Sequence, residues 1–124
     1  MDLASRAYWS SAVNAGLCRL AILKAVCERP GHGYALIRRI SARTRGTFHP
    51  TEATIYPTLA ELRKCGCVTR TTECIGRRER HVYAVTAKGL EACRAAAEAW
   101  RTGFRAVFRK PQHRRRPKRT AASR

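Results

Sequence analysis

Acidic residues are scarce in this chain: eight Asp and Glu stand against 26 Lys and Arg, a formal net charge of +18. The eight are scattered, so no neighbouring pair of carboxylates offers itself for general acid–base work. A glycine-rich loop of the phosphate-cradling type is missing, and no serine or cysteine has an evident base and orienting group near it in sequence. Enzyme chemistry is therefore poorly supported, and no cofactor is called for. A basic n-region is also lacking, since the chain begins Met1-Asp2, and the first apolar runs are broken by Asn14, Arg19 and Lys24. Neither a secretory signal nor a membrane span is expected. Six cysteines, at 18, 27, 65, 67, 74 and 93, would otherwise suggest an extracellular disulfide scaffold. With nothing else pointing to export, they read as reduced thiols, and the expected compartment is the cytoplasm, on the nucleoid when DNA is bound.

The surplus of positive charge is not confined to one end. Eight of the 26 basic residues fall between Arg109 and Arg124, where there is no acid, so residues 1–108 keep 18 basic and eight acidic residues, net +10. A small domain with that excess repels itself unless it meets a polyanion. Nucleic acid is the leading candidate and an anionic membrane surface the second. At 124 residues there is chain for one domain with a small core, for which cover by a second subunit is plausible.

The chain is organised around Pro50 to Gly66, PTEATIYPTLAELRKCG. Ile55, Leu59 and Leu62 share one face of a helix and should point to a core. Thr51, Glu52, Thr54, Tyr56 and Thr58 fall mostly off that stripe and gather at the amino-terminal end. Long charged side chains arrive only at Glu61, Arg63 and Lys64. A helix end presenting compact, near-neutral hydrogen-bonding groups suits insertion into a DNA groove, although polar first turns are common at ordinary caps too. Pro57 has two placements. Either the helix begins at Thr51 and bends at the proline, or its regular part begins near Thr54 as cap with Pro57 in the first turn. The second is preferred.

Ahead of this stretch, residues 1–16 read as weakly helical with a break at Asn14 and Gly16. Leu17–Glu28 is a strong helix stopped by Pro30-Gly31, with Leu20, Leu23, Val26 and Cys27 in its apolar stripe. A second helix runs from about Gly33 to Thr44, with Tyr34, Leu36, Ile37 and Ile40 inward and Arg38, Arg39 and Arg43 outward. Two helices, a glycine-containing connection and a third helix with a polar leading end form the helix-turn-helix pattern. After it, residues 67–73 and 79–85 read as strands joined by a turn at Ile75-Gly76-Arg77-Arg78, a β-hairpin. In that position a hairpin is a wing, and Arg77 and Arg78 at its tip can reach phosphates or the minor groove.

Thr86 caps the last helix. Leu90, Cys93, Ala97, Trp100, Phe104 and Val107 follow at spacings of 3, 4, 3, 4 and 3, a heptad seam. The seam can pair with a partner's helix in a two-fold dimer, or cover Tyr8, Trp9 and Val13 of the same chain, or both. The fold class expected is mainly α with a small β-hairpin. A winged helix-turn-helix with the amino-terminal helix occupies 1–85, a dimerisation helix 86–108 and a disordered basic tail 109–124.

Gly31-His32-Gly33-Tyr34, then Ala53-Thr54-Ile55-Tyr56-Pro57-Thr58-Leu59, Leu62 and Gly66, resemble the PadR family of bacterial transcriptional regulators. Gly76-Arg77-Arg78, Tyr83, Val85-Thr86 and Gly89 match that family's wing and the start of its last helix, so the resemblance spans about residues 17–100. It implies a winged-helix homodimer on a palindromic operator in double-stranded DNA, usually a repressor, paired through the last and first helices. Carried across, Thr54 and Tyr56 fall where the family's recognition helix meets DNA, and Arg77 and Arg78 where its wing does. Some members hold planar aromatic ligands between subunits against a tryptophan of the last helix, and Trp100 lies near that place. A small aromatic effector is one reading of Trp100, and a plain interface tryptophan the other. Cys67 stands where the family usually has Leu, Cys65 where it has a polar residue, and the basic tail is extra.

Cys65, Cys67, Cys74 and His81 are zinc-ligand types, but Cys67 and Cys74 at opposite ends of one strand would be ~23 Å apart. Cys74 and His81 facing each other near the hairpin tip would make half a site, so no metal is assigned. Cys74 beside the arginine-rich wing is the candidate thiol sensor. The reading adopted is a sequence-specific, homodimeric DNA-binding regulator. Its DNA-contacting candidates are Thr51, Thr54, Tyr56, Thr58, Arg77 and Arg78, and its dimer contacts Leu90, Cys93, Ala97, Trp100 and Phe104. The rival is an architectural, sequence-independent DNA-coating protein. The near-neutral leading end of the recognition helix argues against that rival, because a coating protein would place Lys and Arg there.

Overall fold

A computed structural model describes residues 2–111. The first helix, α1, runs unbroken from Arg6 to Glu28. Ser5 caps it, its hydroxyl accepting from Tyr8 N at 3.3 Å, and Pro30 ends it. The break expected at Asn14 and Gly16 does not occur. Gly16 faces Trp100 of the last helix, and a Cβ there would lie 3.5 Å from Trp100 Cη2. Tertiary contact outweighs a glycine penalty of about 1 kcal/mol. This 23-residue helix is long and apolar enough to cross a bilayer by length and composition alone. Its carboxy-terminal half is a core element, with Ile22, Leu23, Ala25 and Val26 buried.

A two-residue strand, β1 (Gly31–His32), leads into α2 (Gly33–Arg43). The Arg39 guanidinium joins the two helices, donating to Ala25 O at 2.7 Å and Arg29 O at 2.9 Å, so it satisfies carbonyls that the end of α1 leaves unpaired. Leu36, Ile37 and Ile40 turn inward, whereas Tyr34, expected inside, is 57% exposed. The third helix, α3 (Glu52–Lys64), starts one turn earlier than the Thr54 cap required. Thr51 O accepts from Thr54 N and Ile55 N at 3.0 and 2.8 Å, making Thr51 the cap residue and leaving Pro57 inside the helix. The carbonyl that Pro57 cannot serve belongs to Ala53, an exposed residue on the solvent side of the helix. At the other end Gly66, with φ +81°, closes a Schellman motif: Cys67 N donates to Leu62 O at 2.8 Å and Gly66 N to Arg63 O at 3.0 Å.

Strands β2 (Val68–Ile75) and β3 (Arg78–Val85) form an antiparallel hairpin from Val68↔Val85 to Ile75↔Arg78, around the turn Gly76-Arg77. β1 pairs with the far side of β3, Gly31 opposite Tyr83, so the sheet has three strands in the order β1-β3-β2 rather than the two expected. The hairpin also puts Cys74 opposite Glu79 and His81 opposite Thr72, so the Cys74–His81 pairing does not form. Among the described residues no group of three or more His, Cys, Asp or Glu is placed to hold a metal ion.

One core holds these elements together. Ile22 of α1, Leu36 of α2, and Ile55 and Leu59 of α3 have no exposed surface, and Val68 and Tyr83 close the core from the sheet. Each fully buried aliphatic side chain contributes about 1.5–3 kcal/mol. The last helix, α4 (Ala87–Phe108), leaves the sheet at Thr86, whose hydroxyl accepts from Gly89 N at 3.0 Å and donates to Gly66 O at 2.6 Å. α4 then runs back along α1. Its apolar seam is covered unevenly: Cys93, Ala97 and Trp100 are half-buried, while Leu90, Phe104, Val107 and Phe108 stay exposed, as do Trp9 and Val13 on α1. Of the tail expected from 109, residues 112–124 lie outside the described part.

Candidate nucleic-acid interface

With Ile55 and Leu59 buried, the opposite face of α3 is turned to solvent, and Thr51, Glu52, Thr54 and Tyr56 are exposed on it. Thr51 Oγ1 and Thr54 Oγ1 lie 3.3 Å apart, a short hydroxyl ridge at the helix start. Thr58 lies one turn further on and is half-buried.

Tyr56 does more than project. Its ring lies over the first residue of α2, where a Cβ on Gly33 would fall 2.4 Å from Cε1 and 2.7 Å from Cζ and from the hydroxyl oxygen. A side chain at residue 33 would push the ring aside, so glycine there is what lets the ring lie against α2. Burial raises the Tyr56 phenol above its ordinary range, with Glu52 and Tyr83 adding to the effect, so it stays a neutral hydroxyl.

The wing lies beside this face. Tyr56 and Arg78 line the same cleft, of about 600 Å³, together with His32, Tyr34, Arg38, Glu79, Arg80 and His81. Arg80 Nη1 donates to His32 Nε2 at 3.3 Å, binding β3 to the residue ahead of α2. The Arg38 guanidinium lies 5.4 Å from the centroid of the Tyr34 ring, within cation–π range. Arg77 occupies the turn itself and is exposed. The structure therefore brings Tyr56 and Arg78 to one cleft and Thr51 and Thr54 into contact, with Arg77 at the tip.

His32, Tyr34, Arg38 and Arg80 belong to this surface and are not among the site residues expected from sequence. Sequence alone marks Arg38 only as an outward charge of the second helix and Tyr34 as core. The signal that could find them is the Gly-His-Gly-Tyr run taken together with the arginine-rich strand.

Of the six cysteines, Cys67 is buried in the core and Cys18, Cys27 and Cys93 pack against it. Burial, reinforced by a hydrogen bond with Cys93, pushes the Cys27 thiol up to about 12, which keeps it protonated and unreactive at neutral pH.

A helix-turn-helix whose third helix shows a neutral polar leading end, flanked by an arginine-tipped hairpin, defines a winged-helix DNA-binding protein. The chain belongs to the PadR family of transcriptional regulators: the family described as transcriptional regulator PadR-like matches residues 22–95. These proteins are regulators rather than enzymes. Over 76 residues the chain is 34% identical to the transcriptional regulator YqjI of Escherichia coli (strain K12), a match covering 61% of this chain. The match takes in 35% of that relative, so the chain spans about a third of its length. Two solved structures share the fold. A PadR family transcriptional regulator from Eggerthella lenta superposes with a TM-score of 0.72 at 24% identity, covering 86% of this chain and 94% of that one. A transcriptional regulator from Clostridium thermocellum gives 0.71 at 23% identity, covering 77% and 94%.

Proposed function

We propose that this regulator is a homodimeric repressor that reads a palindromic operator with the leading end of α3. The observation that carries the reading is the exposed, near-neutral face of Thr51, Thr54 and Tyr56 beside an arginine wing. Thr54 and the Tyr56 hydroxyl read base edges, with Thr51 and Thr58 beside them, and Arg77 and Arg78 hold backbone phosphates. Two copies pair through the open apolar stretch of α4 and through α1. That spaces the two α3 helices by one DNA turn, about 34–36 Å. The place of action is the cytoplasm, on the nucleoid.

The test begins with selection of a preferred site from randomised duplex DNA, followed by affinities for it and for random DNA at one salt concentration. Tyr56→Phe keeps the ring over Gly33 and removes the hydroxyl. It should cost about 1–3 kcal/mol on the selected site and leave random DNA unchanged. Equal losses on both would remove Tyr56 from base reading. Failure to select any site would favour the sequence-independent coating protein.

Release by a planar aromatic effector fits the same arrangement. Trp100 rests on Gly16 of its own α1, is half-buried, and has Phe104 5.5 Å away, centroid to centroid, as its aromatic neighbour. A ligand stacked there would alter the separation of the two α4 helices. In a Trp9→Phe variant, planar aromatic compounds that release DNA should quench Trp100 fluorescence over the same concentration range. Release without quenching would place the signal elsewhere. Cys74, opposite Glu79 rather than a basic group, is then the exposed thiol to examine by alkylation.

A further inference from the structure

We propose that Ile75, at the tip of the wing, reads the minor groove beside each operator half-site and sets a preference for A·T pairs there. The inference rests on the DNA-binding reading above and adds to it a specificity-determining side chain. Ile75 is the last residue of β2 and is 52% exposed. The other exposed large apolar side chains among the described residues lie on α4, on or just ahead of α1, or, as Tyr34 and Tyr56, in the cleft. The proposed dimer face and the cleft account for those. Ile75 stands apart from both, ~23 Å along the strand from the buried Val68. Every residue from Thr69 to His81 is exposed, so the hairpin projects as a blade with the isoleucine near its end.

Register decides what stands beside it. Ile75 is directly opposite Arg78, and Glu73 opposite Arg80; opposite residues of an antiparallel pair point to one face. Ile75, Arg78 and Arg80 therefore share a face, with Glu73 as the carboxylate on it. Arg78 lines the cleft with Tyr56, and Arg80 bonds His32 there. The isoleucine thus lies on the side of the blade whose arginines meet the candidate surface. Gly76, with φ +65°, opens the turn, and Arg77 follows it at the very end. An apolar side chain between two guanidinium groups fits a polyanion with apolar walls better than it fits an apolar protein surface. The minor groove is such a place. Its walls are deoxyribose carbon, and its width of about 6 Å admits side chains from a turn but not a helix. On its floor A·T and T·A pairs show acceptors only, whereas G·C adds the projecting guanine amino group. Ile75 carries no hydrogen-bonding side-chain atom. Over an A·T pair its methyl groups reach the floor while Arg77 supplies donors to the acceptors. Over a G·C pair the amino group blocks that approach and loses water without gaining an acceptor.

The experiment uses the full chain and duplexes built on the selected operator, with the base pairs beyond each half-site changed one at a time. At one such pair wild type should bind the A·T form about tenfold more tightly than the G·C form. Inosine in place of guanine removes only the minor-groove amino group and should recover most of the difference. Ile75→Ala, shown to be folded by circular dichroism, should lose the preference while keeping wild-type affinity for the G·C form. Ile75→Val, which keeps a branched apolar tip, should retain it. Wild-type discrimination in Ile75→Ala would overturn the assignment, as would a wild type that selects an operator but ignores every flanking pair. So would inosine behaving as guanine, which would place the reading in the major groove. A wild type that binds no duplex at all would instead overturn the DNA-binding reading on which the proposal rests.

Discussion

Gly89→Ala should destabilise the chain by about 3 kcal/mol or more, a large fraction of the about 5–15 kcal/mol that holds a domain of this size folded at 25 °C. Gly89 is buried in the first turn of α4, and a Cβ there would stand 2.1 Å from Cys67 O, 3.0 Å from Cys67 C and 2.6 Å from Val85 Cγ2. The nearest obstacle is backbone, which cannot swing aside as the end of a side chain can. Cys67 is also held on both sides, its N donating to Leu62 O at 2.8 Å and its O accepting from Thr86 N at 3.0 Å. Relief therefore requires α4 to lift from the sheet. That strains the Thr86 cap and the bond from Lys88 Nζ to Cys65 O at 2.7 Å. Gly103 in the same helix has nothing within 4 Å of its Cβ position, so Gly103→Ala should stabilise by about 0.5–1 kcal/mol through helix propensity alone. Urea unfolding of the two variants gives the comparison. Similar curves would mean that α4 does not dock at Cys67 as described.

The parts of this fold that depend on local chemistry are legible in the sequence. Pro30-Gly31 ends α1, Ile55 and Leu59 face the core, Gly76 opens the hairpin turn and Thr86 caps α4. What cannot be read there is set by contacts between distant residues. α1 continues through Gly16 because Trp100 lies against it. Strand β1 exists only because Gly31 finds Tyr83. Tyr34 reads as core by period yet stands outside, stacked by Arg38.

Position on the polar face is enough to make Tyr56 a candidate, but its contact with α2 is hidden. Its ring lies where only a glycine at residue 33 leaves room, and neither residue announces the other in a single sequence. The cleft beside α2 is harder still to foresee, since His32 and Arg80 meet only after the sheet has formed. Both joints tie α2 to α3 and the wing, so the candidate surface is set by a few long-range contacts as well as by the composition of α3.

Replacing Phe104 and Val107 together by glutamate should convert the proposed dimer to a folded monomer and abolish operator binding at concentrations where the wild type binds. The choice follows from exposure within the protomer. Ala97 is half-buried, so a charge there confounds folding with assembly. Phe104 and Val107 are 39% and 73% exposed and belong to an apolar strip with Phe108, whose ring centroid is 5.8 Å from that of Phe104. Phe104 also has an aromatic contact with Trp100 within the protomer, so the loss should lower the protomer's unfolding free energy by about 0.5–1.5 kcal/mol and leave it folded. In a two-fold pair each substitution counts twice. Four apolar side chains at about 1.5–3 kcal/mol each remove some 6 kcal/mol or more, a factor of about 10⁴ in the dimer constant. Four like charges brought to one interface weaken it further. Operator affinity then drops because a monomer engages a single half-site and forgoes the effective concentration that links the second to it. Light scattering reports the mass, circular dichroism the fold, and a gel shift on the selected operator the binding. A double variant that remains a dimer of wild-type mass would move the interface off this end of α4. A folded monomer with undiminished operator affinity would remove the dimer from the mechanism of recognition.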